Sequence, residues 1–487
     1  VLTLFYCLFA FDGWRQLFRD SDTGWHIRTG EFILDTHRLP ATDPYSFTRA
    51  GERWFAWEWA SDTAMASAHR AAGMGGVAAL FALAIAGATY LWVRLCWQAG
   101  AEFVVVCASA IPMLSTVNLH WLARPHVFGW LLLLLTLLLA GRRELAFTRR
   151  GAVSVAVLSA VWANVHASFF MLPLALLVFA AGNLLERSLL DPRRPATSGP
   201  LSQLAGVALL ASLLNPYGWN LHWHVARYLT DYELLDRVGE FQSFNFHVPG
   251  AWQILLLLGL TALGGAFALQ QGRISHFLWI ALLLALALRS ARGLPLAALA
   301  ALPFAAGAIG AALREGLGLR VGIRNRLFGI TDYSQRLRHI DRQLAGWIWI
   351  PILLPLLFLA ARGAVNAGFP SDQFPVEASK AVAGIPLASR ILAPDKYGGY
   401  LIYRFNGERK VYFDGRSDFY GAAFMKRYIQ LVEVRPGWRG ELDANRFTHA
   451  LLPNTYSLIP ALLDGGGWTV MHRDDVATLL RKEGTPE

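Results

Sequence analysis

The sequence predicts a mainly α polytopic membrane protein of about eleven transmembrane helices, with a small C-terminal α/β domain on its outer face. Three observations lead there. The chain of 487 residues is 55% hydrophobic and only 16% charged, whereas an ordinary soluble domain carries roughly 25% charged residues. Its apolar excess is gathered into runs such as Val127–Ala140, Ile254–Ala268 and Trp347–Ala361, many of them near the roughly 20 residues that cross a bilayer core. The links between runs alternate between arginine-rich and aromatic, which is a topological pattern.

Backbone groups in lipid must be bonded internally, so the runs are expected as helices. They cover 1–18, 74–97, 101–118, 126–141, 151–166, 168–186, 200–215, 251–269, 275–289, 293–312 and 345–362. Residues 1–18 lack a small-residue cleavage site and run into a charged segment, so they read as a first span and not as a removed signal peptide. Val1 in place of an initiating methionine predicts that a few residues precede it. One set of links holds Arg142, Arg143, Arg149 and Arg150, then Arg187, Arg193 and Arg194, then Arg273, then the longer basic link from Arg314 to Arg342. By the positive-inside rule this set is cytoplasmic. The other set, 19–73, 118–125, 163–168, 215–250 and 289–292, is rich in aromatic residues, His, Asn and Asp. It is expected outside together with the tail, which puts the N-terminus inside and the C-terminal domain outside.

The domain division expected is a transmembrane domain over 1–366, with a long first outer loop at 19–73, and a soluble α/β domain over 367–487. In that tail, strand-like runs (Arg390–Ala393, Tyr400–Arg404, Lys410–Asp414, Thr448–Leu452, Trp468–His472) alternate with helix-like ones (Val376–Ala383, Ala422–Val434, Tyr456–Leu463). The net charge of +10 sits largely in the short basic links, so membrane lipids and not nucleic acid are the partners it implies. Cys7, Cys96 and Cys107 all lie in apolar runs with no paired spacing, which indicates neither a disulfide framework nor a cysteine metal site.

The outer links carry the chemistry. Asp20 and Asp22 form an Asp-x-Asp pair directly after the first apolar run, within Arg19-Asp-Ser-Asp-Thr-Gly-Trp-His-Ile-Arg-Thr-Gly-Glu31. Paired carboxylates at a membrane surface can bind a divalent cation or take a proton from an acceptor; they can also simply solvate a helix end. Trp54, Trp57 and Trp59 suit an interfacial segment or a substrate platform. Glu58 and Asp62 stand one helical turn apart and can face the same cavity. Arg124 and His126, Asn164 and His166, and Arg289 and Arg292 mark the shorter outer links. Arginine on the outer side runs against the charge bias, and an anionic ligand such as a lipid phosphate supplies a reason for it. Asp414, Arg416 and Asp418 follow a strand-like run, where ligand contacts and self-satisfied turn salt bridges are equally common. No Walker A loop, Rossmann glycine fingerprint, His-Glu-x-x-His or Gly-x-Ser-x-Gly is present, so ATP-driven transport and the common hydrolase classes lose support.

An acidic motif after the first span, many spans and an outer α/β tail together resemble the GT-C superfamily of membrane glycosyltransferases, which includes protein O-mannosyltransferases, oligosaccharyltransferases and the aminoarabinose transferase of lipid A. The strings Asp22-Thr-Gly-Trp-His-Ile-Arg-Thr-Gly-Glu31, Thr42-Asp-Pro-Tyr-Ser-Phe-Thr48, Ala123-Arg-Pro-His126, Trp162-Ala-Asn-Val-His166, Leu214-Asn-Pro-Tyr-Gly218 and Phe413-Asp-Gly-Arg416 look like a bacterial branch of GT-C-like proteins. The resemblance spans nearly the whole chain. It implies a bacterial cytoplasmic (inner) membrane protein that moves a sugar from a polyprenyl-phosphate donor to an extracytoplasmic acceptor. It also implies that Asp22 first, and Asp20 second, is the catalytic base or the ligand of a divalent cation (Mg or Mn). Arg124, His126, Asn164, His166, Arg289, Arg292, Glu58 and His26 are then the expected substrate-binding residues. This sequence lacks a second acidic motif that aligns with the family's, which puts metal dependence in doubt. The rival readings are a transporter or flippase for a lipid-linked saccharide and a non-catalytic protein of cell-envelope assembly.

Overall fold

The computed structural model of the chain describes residues 2–10, 12–141, 147–316, 321–343, 350–361 and 367–485. Arg142, Arg143 and Arg320 of the basic links and the ends of the expected 345–362 span lie outside the described residues. The chain is mainly helical, with one four-stranded sheet near its end. Among the described residues five helices are long and apolar enough to cross a membrane: Trp59–Gln98, Phe103–His120, Ala167–Leu189, Ala251–Gln270 and Gly293–Arg314. Shorter apolar helices cover His126–Ala140, Ser198–Ala211 and Ile274–Arg289.

Of the about eleven spans expected, five are of full length among the described residues. Other runs form shorter helices, Arg149–Val165 and Ile274–Arg289 among them. The 1–18 run is the clearest case: it divides into Leu2–Leu8 and Trp14–Leu17, separated by Gly13 at φ +50°. Apolar content alone did not reveal the break in helical register.

The Gly293–Arg314 helix is the axis of the bundle, with 83% of its apolar window buried. Its Ala297–Ala301 turn is a π-helix, a geometry that disturbs the regular hydrogen-bond ladder. Two buried indoles bond to that turn: Trp92 Nε1 donates to the Ala298 carbonyl at 3.0 Å and Trp279 Nε1 to the Ala300 carbonyl at 2.9 Å.

Each set of links is bonded within itself. Among the basic links, Arg194 donates to the Gly272 carbonyl at 2.6 Å and pairs with Glu186, and Arg314 pairs with Glu102. Among the aromatic links, Thr23 donates to the Ala123 carbonyl at 3.0 Å, Asn164 to the Leu214 carbonyl at 2.8 Å, and the Ala291 amide to the Gln242 carbonyl at 2.8 Å. The grouping drawn from charge is thus a grouping in space.

The tail forms a sheet of order β1-β2-β4-β3 from Ile391–Leu392 (β1), His449–Pro453 (β2), Trp468–Arg473 (β3) and Ala477–Lys482 (β4). β1 pairs with β2 in parallel, and the other pairings are antiparallel. β4 was not expected. Tyr400–Arg404 belongs to the helix Asp395–Arg404, in which every residue from Tyr397 to Ile402 is buried. Lys410–Asp414 forms only an isolated bridge from Val411 to Ser46 of the first loop.

That bridge leads to the contact fixing the tail on the first loop. Arg416, fully buried, pairs with Asp43 at 2.8 Å and with Asp414 at 2.7 Å, and lies 4.6 Å over the ring of Trp54. Tyr420 donates to Asp414 at 2.9 Å. Removing one partner of a buried ion pair leaves an uncompensated charge and costs about 3–5 kcal/mol. Arg416→Met is expected to lower the thermal unfolding midpoint in detergent accordingly. An unchanged midpoint contradicts this role for the clamp.

Candidate active site

The helix Asp22–Thr36 starts immediately under the tail. Asp20 accepts from the Asp22 amide at 2.9 Å, so the first acid of the pair satisfies the first amide of the helix and the second stands in its first turn, where the helix dipole favours negative charge. Gly30 of this helix lies against the Asp62 backbone, since a Cβ there would stand 1.9 Å from the Asp62 carbonyl oxygen. The close approach brings His26 beside Asp62.

Arg124 joins three segments. Its guanidinium pairs with Asp20 at 2.9 Å, with Asp22 at 2.9 Å and with Glu240 of the long aromatic link at 3.1 Å. Glu240 also pairs with Arg292 at 2.5 Å, and Arg292 lies 4.5 Å over the Phe241 ring. Three carboxylates thus share two guanidiniums. Burial alone would raise Glu240, but Arg292 and Arg124 outweigh it and hold its carboxyl below the usual range. Burial pushes Asp22 up to about 7, with Asp20 and Glu240 adding to the shift and Arg124 opposing it. Burial disfavours the charge on Arg124 too, yet the surrounding carboxylates raise its pKa well above the usual value.

A second group adjoins the first. His26 Nδ1 meets Asp62 at 2.6 Å, His26 Nε2 faces Glu58 at 3.7 Å, and His166 Nε2 faces the other Glu58 oxygen at 3.5 Å. His166 Nδ1 is held by Ser168 Oγ at 2.7 Å. Burial, with Arg124 and His166 adding, holds His26 well below the usual imidazole range. Burial, with Arg292 and Arg124, takes His166 to about 3. Both rings are neutral at neutral pH.

Of the residues expected from the sequence, Asp20, Asp22, Arg124 and Arg292 are brought together with Glu240, and His26, Glu58 and His166 form a second set. His126 is placed differently: it bonds the His120 carbonyl at 2.9 Å and packs edge-on to Trp130. Asn164 is a tie between links, accepting from Trp59 at 2.7 Å and donating to the Ala160 and Leu214 carbonyls. Arg289 points elsewhere, 6.0 Å over the Tyr232 ring. Sequence reasoning did not single out Glu240 or the link from Asp62 to His26. Glu240 was legible only as an acid in the long aromatic outer link.

Arg124 takes the place between the carboxylates of Asp20 and Asp22, and among the described residues no group of three or more His, Cys, Asp or Glu side chains could hold a metal ion. In this arrangement the guanidinium of Arg124 balances both acids. Two surface cavities, of ≈ 350 Å³ beside Trp59 and ≈ 270 Å³ beside Tyr6, are lined by other residues than Asp22.

No protein-family model matches the chain, and no curated protein matches it. Among solved structures it is similar to the apo-form crystal structure of the oligosaccharyltransferase of Archaeoglobus fulgidus, with a TM-score of 0.49 and 11% identity over 93% of this chain and 68% of that one. A likeness at that level carries no argument about chemistry, which rests on the geometry above.

The Asp414-Gly-Arg416 turn closes over Asp22. A Cβ on Gly415 would stand 1.9 Å from Asp22 Oδ1, so only glycine leaves the carboxylate in place. Displacing a reacting group by an ångström can cost on the order of 100-fold in rate. If Asp22 is catalytic, Gly415→Ala is expected to lower kcat by about that factor with little change in unfolding midpoint. Full activity in a folded Gly415→Ala protein contradicts the placement.

Proposed function

We propose that the chain is a membrane glycosyltransferase that moves a sugar from a polyprenyl-phosphate donor to an acceptor outside the cytoplasmic membrane. One observation carries the reading: a buried carboxyl, Asp22, shares Arg124 with a Glu240 that also bridges to Arg292. The pair of guanidiniums is the kind of donor set that recognises phosphate, and Glu240, the most exposed of the three carboxylates at 31%, occupies it as an oxyanion would. Donor binding then exchanges the Glu240 carboxylate for the lipid phosphate. Arg124 and Arg292 balance the charge that develops on the departing phosphate.

Asp22 takes the proton of the acceptor hydroxyl as that oxygen attacks the anomeric carbon from the face opposite the phosphate, so the configuration inverts. The donor bond supplies the driving force and no nucleotide is consumed. The isoprenoid tail remains in lipid beside the helices, which accounts for a membrane-bound fold with its polar groups at the link ends. The same placement weighs against a flippase, which needs charged or broken helices near the bilayer midplane. Orientation with the links outside follows from the charge bias.

A second reading is a non-catalytic protein of envelope assembly. The turn closed over Asp22 favours it.

The test uses purified chain in proteoliposomes with a panel of polyprenyl-phosphate sugars labelled in the headgroup, each with and without a divalent cation. Loss of a general base costs about 10²–10⁴-fold, so Asp22→Asn is expected to reduce sugar release by at least 100-fold while leaving the fold intact. The base works deprotonated, so the rate should rise with pH through about 7. Near-normal transfer by Asp22→Asn sinks the assignment of the base. Absence of release by the wild type across the panel favours the assembly reading.

A further inference from the structure

The long aromatic link 215–250 carries a helix, Trp219–Thr230, with two unlike faces. Leu221 and Val225 are buried on one of them. His224 and Tyr228, on the same side, reach the tail. His224 Nε2 meets Asp418 at 2.9 Å, and the hydroxyls of Tyr228 and Ser417 stand 3.3 Å apart. Ser417 and Asp418 open the helix that follows the Asp414-Gly-Arg416 turn, the turn whose Gly415 lies against Asp22. The other face is open among the described residues. Trp219 and Trp223, one turn apart, are 68% and 60% exposed, Trp219 even though its ring stacks on His222. Ala226, Arg227 and Thr230 continue the exposed stripe at helical spacing.

We propose that this helix lies in the headgroup layer of the bilayer, with Trp219 and Trp223 in lipid and its opposite face holding the turn over Asp22 at the membrane surface. Three observations choose a bilayer as the occupant. First, the link leaves the apolar helix Ser198–Ala211 and enters Ala251–Gln270, which is long enough to cross a membrane, so the bilayer boundary lies close to the link. Second, Trp252 in the first turn of Ala251–Gln270 is 60% exposed, and indoles so placed mark the boundary between hydrocarbon and water. Third, the stripe mixes its two indoles with exposed Arg227 and Asn220. Hydrocarbon would exclude those polar groups, whereas headgroups pair a guanidinium with phosphate and accept the polar edge of an indole.

The interfacial role expected for Trp54, Trp57 and Trp59 passes to this link. Trp54 is buried beneath Arg416, Trp57 packs edge-on to His224 at 5.6 Å, and Trp59 donates to Asn164. Trp57 thus supports the packed face of the same helix whose other face carries the exposed indoles. The inference does not rest on the transferase reading, because a membrane-seated helix would hold the tail equally in an enzyme and in an assembly protein.

The experiment places a fluorescent label on the exposed stripe through Ala226→Cys, which leaves both tryptophans in place, in the full chain carrying Cys107→Ser. Cys7 and Cys96 are buried. The protein is reconstituted in vesicles of phosphatidylcholine and phosphatidylglycerol, with a label at Asp464→Cys, exposed on the tail, as the aqueous reference. An interfacial helix seats about 5–10 Å into the headgroup boundary. Lipids spin-labelled in the headgroup or upper acyl chain are therefore expected to quench the label at residue 226 about twofold. Lipids labelled at the chain end should quench it far less, and iodide should quench it less than the reference. Trp219→Ser combined with Trp223→Ser should weaken the lipid quenching and strengthen that by iodide. Quenching by iodide equal to the reference, with none by lipid, overturns the proposal. Protection from both quenchers shows a protein cover, such as a second copy of the chain, and overturns it too. Unchanged lipid quenching in the double variant overturns the seating by the two indoles.

Discussion

The candidate site depends on the guanidinium of Arg124. It is mostly buried and gathers Asp20 and Asp22 from the start of one helix and Glu240 from a link more than 200 residues further along the chain. Without it, three carboxylates would face one another with only Arg292 to balance them, and burying them in that state would cost several kcal/mol per uncompensated charge. Asp20 and Asp22 keep their positions because Asp20 holds the first amide of the helix and both acids pair with Arg124. A second guanidinium, Arg416, plays the matching part for the tail by binding Asp43 of the first loop and Asp414 of the tail. Its turn then roofs Asp22. The site is thus assembled from segments far apart in sequence, each brought in by a buried charge that needs a partner.

Such an arrangement explains what the sequence could and could not disclose. Asp22, Arg124, Arg292 and His166 stood out because charge on an aromatic outer link has to be accounted for, whatever fold encloses it. Pairing was not legible, since nothing in the spacing of Arg124 and Glu240 says that they meet. Glu58 and Asp62, one turn apart, were expected to face one cavity, and His26 does lie between them. The choice at Asp414 and Arg416 fell to the self-satisfied salt bridge, though one that reaches across to Asp43.

For the fold, apolar runs located helices better than they measured them. A run needs an unbroken helical register to span, and the 1–18 run divides into Leu2–Leu8 and Trp14–Leu17. In the tail, Tyr400–Arg404 looked like a strand by composition, yet it closes the helix Asp395–Arg404, in which every residue from Tyr397 to Ile402 is buried. Tertiary burial overrode β-propensity there. β4 escaped notice because its partner strands, and not its own sequence, make it a sheet element.

In the proposed reaction the lipid phosphate must displace Glu240 from the two guanidiniums, so the direct measurement is binding and not turnover. Polyprenyl phosphate and the neutral polyprenol of the same length would be titrated into the reconstituted wild type, Glu240→Gln and Arg292→Gln. The account expects the phosphate to bind at least about tenfold more tightly than the alcohol, since a charge-assisted hydrogen bond contributes about 1.5–3 kcal/mol. It expects that preference to grow in Glu240→Gln and to shrink in Arg292→Gln. Equal binding of phosphate and alcohol by all three proteins would contradict it.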